Sequence, residues 1–165
     1  MDQRKDVLKA MILYCENDVK RVNHLLKVYG YAQVIGEMEG VDKATQKILE
    51  IAAITHDIGI KNSERKYNSS NGSYQQIEGP PEAEKMLSAL HIDQNIIERV
   101  CWLIAHHHTY TNIDTIDYQI LIEADFLVNI WQFDMPVEKI KEIRENIFKT
   151  ATGLTILDSI YLTNV

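Results

Sequence analysis

A histidine and an aspartate stand side by side at the end of an apolar run, in the segment EIAAITHDIGIKN at residues 50–62. Residues three and four positions apart share a helical face, so His56 and Asp57 continue the core-facing region formed by residues 52–54. Burying a charge without a partner is costly. A metal ion would satisfy the pair, because histidine nitrogens and carboxylate oxygens are standard ligands. The alternative is a core histidine at a helix end, followed by a solvated aspartate.

A second acidic residue lies on an apolar helical face farther along the chain. Asp125, in LIEADFLVNIW, has Leu121, Ile122 and Val128 as neighbours on its face. An acid in that position is expected to be paired, bound to a metal, or placed on a narrow polar seam. Glu123, two residues earlier, is expected to be the solvated one.

Histidines provide further candidate ligands. His24, in KRVNHLLKVYGY, is by itself typical of a surface or boundary histidine. The segment AHHHTY places three consecutive histidines at the end of an apolar helix. Because successive helical residues point in different directions, we expect His106 or His107 to enter a site. His108 is expected to face solvent or the following loop, and His91 to lie at a helix end outside the site.

The balance of charge limits the partners that the chain is expected to bind. Its 165 residues include 24 acidic and 17 basic side chains, which give a net charge of −7, and the basic residues form no stripe. Because phosphate neutralisation dominates nucleic-acid binding, nucleic acid is not expected as a main partner. The N-terminal segment MDQRKDVLKAMILYC mixes charged and apolar residues, so we expect neither a secretion signal nor a membrane span there.

Residues that would support covalent catalysis are missing from the sequence. It has no Gly-rich phosphate loop of the Walker type and no GxSxG motif. Cys15 and Cys101 lie in apolar helical patterns and form no CxxC pair, which is typical of reduced thiols in a cytoplasmic protein. Catalysis by a protein nucleophile is therefore disfavoured.

Apolar residues at helical spacing run along almost the whole chain and predict an all-α fold in one domain, residues 1–165. Predicted helix starts are the residues END at 16–18, Asp42, Asp93, Asp114 or Asp117, and the sequence DMP at 134–136. The polar stretch KNSERKYNSSNGSYQQ, residues 61–76, is predicted to be a long loop. The next helix, GPPEAEKMLSAL, is predicted to carry proline in its first turn, and LTILDSIYL to end the chain as a short helix.

The order His24, His56-Asp57, Asp125 resembles the H…HD…D signature of the HD-domain superfamily of metal-dependent phosphohydrolases. The surrounding residues are similar as well. ITHDIG resembles the helix-ending HD pair of that superfamily, ILIEADFLVN its late aspartate helix, and EGPPEAEKML its small-residue helix. The resemblance covers about residues 18–132 and implies a single HD-domain helical bundle.

The resemblance also implies one or two divalent cations bound by the signature residues. The ligands of the first cation would be His24, His56, Asp57 and Asp125. Asp57 would also orient the reactive water. Sites of this composition accept Mn, Fe, Co, Ni, Zn and sometimes Mg.

Superfamily members with two cations use additional histidines, one of them before the small-residue helix. The corresponding segment here, YQQIEGP at 74–80, has none, and Glu78 is its only candidate ligand. His106 and His107 are the remaining candidates for a second cation or for contact with the substrate.

Basic residues beside the predicted loop are candidates for phosphate binding. Lys61, Arg65 and Lys66 would clamp phosphate oxygens as charge develops, with Lys61 assigned a catalytic role. The alternative for each of them is a solvated position on a charged loop. The GYP motif of the cyclic-dinucleotide branch is absent, and HDIGIK places Lys61 one position later than in HDIGK.

Together these features predict a phosphohydrolase that acts on a nucleotide or another small phosphoester through a metal-activated water. One alternative is a di-iron oxygenase on the same scaffold, which would use His106 and His107 for a second iron. Another is a non-catalytic module that senses a nucleotide or a metal. The sequence leaves the oligomeric state open, although Trp131, Phe133 and Tyr161 are candidates for an apolar interface.

Overall fold

In a computed structural model, which describes residues 3–163, helices follow one another along the chain and no described residue lies in a β-strand. The all-α prediction is confirmed. The helices are α1 Gln3–Cys15, α2 Val19–Met38, α3 Lys43–Thr55, α4 Ile60–Tyr67, α5 Gly72–Ala89, α6 Gln94–His106, α7 Ile116–Gln132, α8 Val137–Asn146 and α9 Ala151–Leu157, followed by a π-helical turn, Asp158–Leu162. Among the described residues, no helix is both long and apolar enough to cross a bilayer.

Side-chain caps set three of the predicted helix starts. Asp18 accepts a hydrogen bond from the backbone of Arg21 at the start of α2, and Asp42 accepts from two backbone N–H groups of α3. Asp93 accepts one hydrogen bond, from the Asn95 backbone N–H, at the start of α6. Such caps satisfy backbone donors that have no partner inside the helix, which is why acids before apolar runs predicted these starts correctly.

The predicted long loop at residues 61–76 is wrong. Residues 60–67 form α4, α5 already begins at Gly72, and only residues 68–71 connect the two helices. Asn68 adopts a left-handed conformation with φ of 51°, which ends α4, and the Asn71 side chain caps α5. The Ser/Asn/Gly cluster is therefore a helix stop followed by a helix start, both of which use the local hydrogen bonding of asparagine.

Two further helix starts differ from prediction. Pro80 and Pro81 lie inside α5 rather than in its first turn, so the helix crosses them without the backbone hydrogen bonds that proline cannot donate. α7 begins at Ile116, between the two predicted aspartates, with Thr115 at its N-cap position.

Two helices, α3 and α7, are buried on almost every side. α3 packs against α1, α2, α6 and α7, and residues 49–56 are all buried. In α7 the buried stretch covers residues 117–125. A helix surrounded by protein places any polar side chain in the interior, where it needs a partner. The end of α3 and the middle of α7 are the positions of His56-Asp57 and Asp125.

Glu123 in α7 is fully buried, so the prediction that it is solvated is wrong. Its carboxylate accepts hydrogen bonds from the backbone N–H groups of Lys149 and Thr150 and from the Gln119 amide. These bonds satisfy the buried charge and hold the start of α9 against α7.

The turn after α3 lies in direct contact with the backbone of α5. A Cβ atom at Gly59 would stand 2.6 Å from the Gly79 nitrogen and 2.7 Å from the Gln75 carbonyl oxygen. Because the obstacle is backbone on both sides, no side-chain rotation would relieve it. The glycine therefore sets the distance between the His56-Asp57 turn and the helix that carries Gln75.

We expect Gly59→Ala to destabilise the fold by about 1–3 kcal/mol, as overpacking of a tight contact does. The matched control is Gly30→Ala in α2, where nothing lies within 4 Å of the added Cβ. That variant should be neutral or up to about 1 kcal/mol more stable, since alanine favours a helix. Urea unfolding of both variants tests this, and equal stabilities would contradict the close approach.

Candidate metal centre

Four signature side chains converge from three helices. The Nε2 atom of His24, on α2, lies 3.1 Å from His56 Nε2, 3.1 Å from Asp125 Oδ1 and 3.3 Å from Asp57 Oδ2. His56 Nε2 lies 3.5 Å from the same Asp57 oxygen and 3.6 Å from Asp125 Oδ1. The structure thus brings together the four residues that the sequence proposed as metal ligands.

The imidazole rings are held by hydrogen bonds on their opposite nitrogens. His24 Nδ1 lies 3.2 Å from the Gln132 side-chain oxygen, and His56 Nδ1 lies 2.8 Å from the Ala53 carbonyl oxygen. Since these oxygens only accept, each Nδ1 carries the hydrogen, and a neutral ring presents an Nε2 lone pair to the centre. Such partners are what fix the orientation of metal-binding histidines.

The centre therefore contains more acceptors than donors. With both rings neutral, two Nε2 lone pairs would face each other at 3.1 Å, and Asp125 Oδ1 is a buried oxygen without a hydrogen-bond partner. Acceptor atoms this close repel unless a proton or a metal cation lies between them. The four potential ligand side chains, two imidazoles and two carboxylates, fit a divalent transition metal. The residues present thus suit the cation that the motif implies.

Charges around the centre favour a cation strongly. Burial alone would lower the pKa of His56, but the carboxylates of Asp57 and Asp125 outweigh it and raise that pKa to about 9. Burial would also raise the pKa of both carboxyl groups, but neighbouring histidines hold them below their usual range. Both carboxylates are therefore negative at neutral pH, and a bound metal would replace the proton on His56.

A second group of potential ligands shares Asp57 with the first. It consists of Asp57, His107 and His108, whose ligand atoms lie within 4.8 Å of one another. His107 is buried, its Nδ1 lies 2.7 Å from the Ile104 carbonyl oxygen, and its Nε2, 3.6 Å from Asp57 Oδ1, has no hydrogen-bond partner. Asp57 therefore turns one oxygen toward each group.

The prediction that His108 faces solvent or the following loop holds for the loop, but the ring also lies on the cavity wall. Its ring lines the cavity, and its Nε2 lies 3.1 Å from the Gln75 side-chain oxygen. Burial and the neighbouring His107 lower the pKa of His108 to about 4, so the ring is neutral. A contact with the following loop does exist, since Nδ1 lies 3.5 Å from the Tyr110 hydroxyl.

His106, the other predicted candidate, points away from the centre. Its ring stacks on Trp102 with 4.0 Å between ring centroids, and its Nδ1 lies 2.7 Å from the Trp102 carbonyl oxygen. Of the two candidates, the structure brings only His107 into either ligand group. The reason is the helix end, where one further residue rotates the side chain from the outer face to the core.

Glu78 is engaged outside both ligand groups. Its two carboxylate oxygens accept hydrogen bonds from Lys66 Nζ at 2.6 Å and from the Tyr67 hydroxyl at 3.0 Å. The hydrogen bond from Lys66 lowers the pKa of Glu78, so this carboxylate is ionised and paired. Glu78 is thus not a ligand in this arrangement, and Gln75, one turn earlier, stands beside the histidines instead.

The three predicted phosphate ligands do not reach the cavity above the centre. Lys61 lies 3.2 Å from Glu16, Lys66 is bound to Glu78, and Arg65 is exposed. The prediction placed residues 61–66 in a polar loop, whereas they lie in α4. Ile60 and Glu64, one turn apart, line the cavity, so the basic side chains on other faces of α4 point elsewhere. The catalytic role predicted for Lys61 is wrong for the same reason, because its side chain does not reach the cavity.

The cavity has a volume of about 400 Å³, and its wall contains residues that the sequence reading missed. His24, Asp57 and Asp125 form part of its lining. Other lining residues are Lys20 and Arg21 on α2, and Asn129, Gln132 and Phe133 on and after α7. A signal for the amides was present, because Asp125, Asn129 and Gln132 are spaced as one helical face.

Comparison with known proteins agrees with this geometry. The model of the HD domain family matches residues 21–151, well over half of the chain. The chain belongs to the HD domain family. This HD domain is also similar to a crystal structure described as a predicted HD superfamily hydrolase from an uncultured Thermotogales bacterium. The TM-score is 0.69 at 22% sequence identity, over 97% of this chain and 86% of that one. No curated protein matches.

We expect Gln132→Leu to weaken metal binding by about 10- to 100-fold, the usual effect of losing a partner that orients a ligand. The substitution removes the oxygen that holds His24 Nδ1 and leaves all four ligands in place. Calorimetric titration of the metal-free protein with Mn²⁺ or Zn²⁺ measures the change. Gln94→Leu, on the exposed face of α6, is the control and should bind like the wild type. Equal affinity in the two variants would contradict the orienting role of Gln132.

Proposed function

We propose that this HD domain is a metal-dependent phosphohydrolase that acts on a nucleotide or another small phosphoester. The observation that carries the proposal is the position of the ligand group on the wall of an open cavity, where a cation would be accessible to a substrate. Family membership supports it, as does the similar protein described as a predicted hydrolase. A structural cation would instead be enclosed by its ligands.

We propose that the site holds one cation, with His24, His56, Asp57 and Asp125 as its ligands. Bound there, a divalent cation supplies Lewis acidity and lowers the pKa of water toward neutrality. The second group is less well supplied with ligands, because Glu78 is paired with Lys66 and His108 contacts Gln75. The same shortage disfavours a di-iron oxygenase, since His106 points away from the centre.

His107 is the proposed proton acceptor for the attacking water. Its Nε2 carries a lone pair, is buried without a partner, and lies 3.6 Å from the Asp57 oxygen that faces away from His24 and His56. Asp57 would thus hold the cation through one oxygen and orient water toward His107 through the other. A histidine in this position is suited to general-base catalysis.

Arg21 replaces the α4 residues as the proposed phosphate ligand. Its guanidinium lines the cavity on the same helix face as His24, three residues away. Asp18 and Glu64 hold it at 3.2 Å and 3.5 Å, which fixes its orientation. A positioned guanidinium stabilises the charge that develops on phosphate oxygens during transfer.

Other parts of the proposal rest on sequence and composition. We propose a small phosphorylated substrate as the partner, rather than nucleic acid or a membrane, because the net charge is −7. A cytoplasmic location is proposed from the two cysteines, which are both free.

Turnover of phosphate esters tests the proposal. The metal-loaded protein should hydrolyse members of a panel that contains p-nitrophenyl phosphate, its bis-ester and common nucleotides, assayed with Mn²⁺, Fe²⁺, Co²⁺, Ni²⁺, Zn²⁺ and Mg²⁺. Binding of nucleotides or metals without turnover of any ester would favour the sensor alternative. Oxygen consumption by an iron-loaded sample would favour the oxygenase.

We expect His107→Gln to lower kcat by about 10²- to 10⁴-fold, the range for a lost general base, while metal content stays at one per chain. Glutamine keeps polarity and much of the volume but accepts no proton at neutral pH. Elemental analysis and kinetics on the same samples separate the two roles. A fall from two metals to one per chain would instead identify His107 as a ligand for a second cation.

A further inference from the structure

The outer part of the cavity differs in character from its floor. The floor contains His24, Asp57 and Asp125, whereas Phe133 lies on the wall of the same cavity just after the end of α7. Its side chain is 61% exposed. Single exposed apolar side chains are common and need no explanation. The position of this ring, in one cavity with the ligand group, is what makes it informative.

The backbone that carries the ring is held in place by the end of its helix. The Phe133 backbone N–H donates to the Asn129 carbonyl at 2.9 Å, and the Met135 N–H donates to the Ile130 carbonyl at 3.0 Å. Asp134 adopts a left-handed conformation with φ of 47°, which ends the helix there. The point from which Phe133 projects into the cavity is therefore fixed, and most of the residue's surface is open to a ligand.

The ammonium group of Lys20 lies near the Phe133 ring. Lys20 Nζ lies 5.9 Å from the centre of the Phe133 ring, and Lys20 also lines the cavity. No carboxylate among residues 3–163 forms an ion pair with Lys20, whereas its neighbour Arg21 is held by Asp18 and Glu64. Lys20 is thus available to a ligand in addition to Arg21, the proposed phosphate ligand. A flat ring beside a free ammonium group suits a ligand in which an aromatic ring lies close to a negatively charged group.

We propose that Phe133 and Lys20 form a stacking platform that selects phosphate esters bearing a planar ring, such as a nucleobase, over sugar and alkyl phosphates. The inference rests on the proposed function for the phosphate end of the ligand. The amide of Asn129 and the amide nitrogen of Gln132 line the same cavity and supply hydrogen-bonding groups for the polar middle of such a molecule.

Binding of two matched probes tests the platform. One is the phosphonate analogue of adenosine 5′-monophosphate, and the other is the corresponding analogue of ribose 5-phosphate, which lacks the base. Their carbon–phosphorus bonds resist hydrolysis, so calorimetry on the metal-loaded protein measures affinity independently of turnover. The wild type should bind the adenosine probe at least about fivefold more tightly than the ribose probe, as base stacking on an aromatic side chain predicts.

Phe133→Leu should abolish that preference, while affinity for the ribose probe changes less than about twofold. Phe133→Trp should retain or increase it. The matched control is Trp131→Leu, because Trp131 is 66% exposed and lies under Lys27 but lines a different cavity with Tyr31 and Tyr161. This control should keep the wild-type preference.

Three results would overturn the platform. They are a wild type that binds both probes equally, a wild type that binds neither at millimolar concentration, and a preference that survives Phe133→Leu. Failure of the proposed function is a separate result, because it would show as absent turnover of every ester while the adenosine preference and its loss in Phe133→Leu persist.

Discussion

Two histidine nitrogens that face each other at 3.1 Å, with one carboxylate oxygen each from Asp57 and Asp125 beside them, are the feature on which the rest of this structure depends. Each ring is oriented by an acceptor on its opposite nitrogen, Gln132 for His24 and Ala53 for His56. These hydrogen bonds therefore direct the Nε2 atoms toward the negative carboxylate oxygens. Such a cluster is stable only with positive charge at its centre. A proton on His56 meets that need in part, and a divalent cation meets it fully.

The helical bundle makes this cluster possible by surrounding it. α3 and α7 are buried on almost every side, so the polar residues at the end of one and the middle of the other meet water only through the cavity. The close contact of Gly59 with α5 brings Gln75 to one side of the cavity, where it contacts His108. On the opposite side, α2 and α7 supply Arg21, Lys20 and Phe133. The ligand group thus belongs to the interior, while the residues suited to a substrate belong to the rim.

Much of this could be predicted from the sequence, and the failures have physical causes. Local rules located the starts of α2, α3 and α6, because Asp18, Asp42 and Asp93 act on backbone groups only a few residues away. The grouping of His24 with His56, Asp57 and Asp125 followed from apolar faces and residue order. The loop at 61–76 failed because the same asparagines that favour loops also end and cap helices. The contacts of Lys66 with Glu78 and of Glu123 with Thr150 depend on tertiary packing that spacing alone does not reveal.

The measurement that tests the central claim most directly is metal affinity in Asp125→Asn, compared with Asp117→Asn on the same helix. Both aspartates are buried, but Asp117 accepts two hydrogen bonds from Arg99 and lies outside the ligand group. Calorimetric titration with Mn²⁺ or Zn²⁺, with circular dichroism to confirm the fold, should show that Asp125→Asn loses most of its affinity. Asp117→Asn should bind metal like the wild type, although it is less stable. Wild-type affinity and occupancy in Asp125→Asn would contradict the metal centre described here.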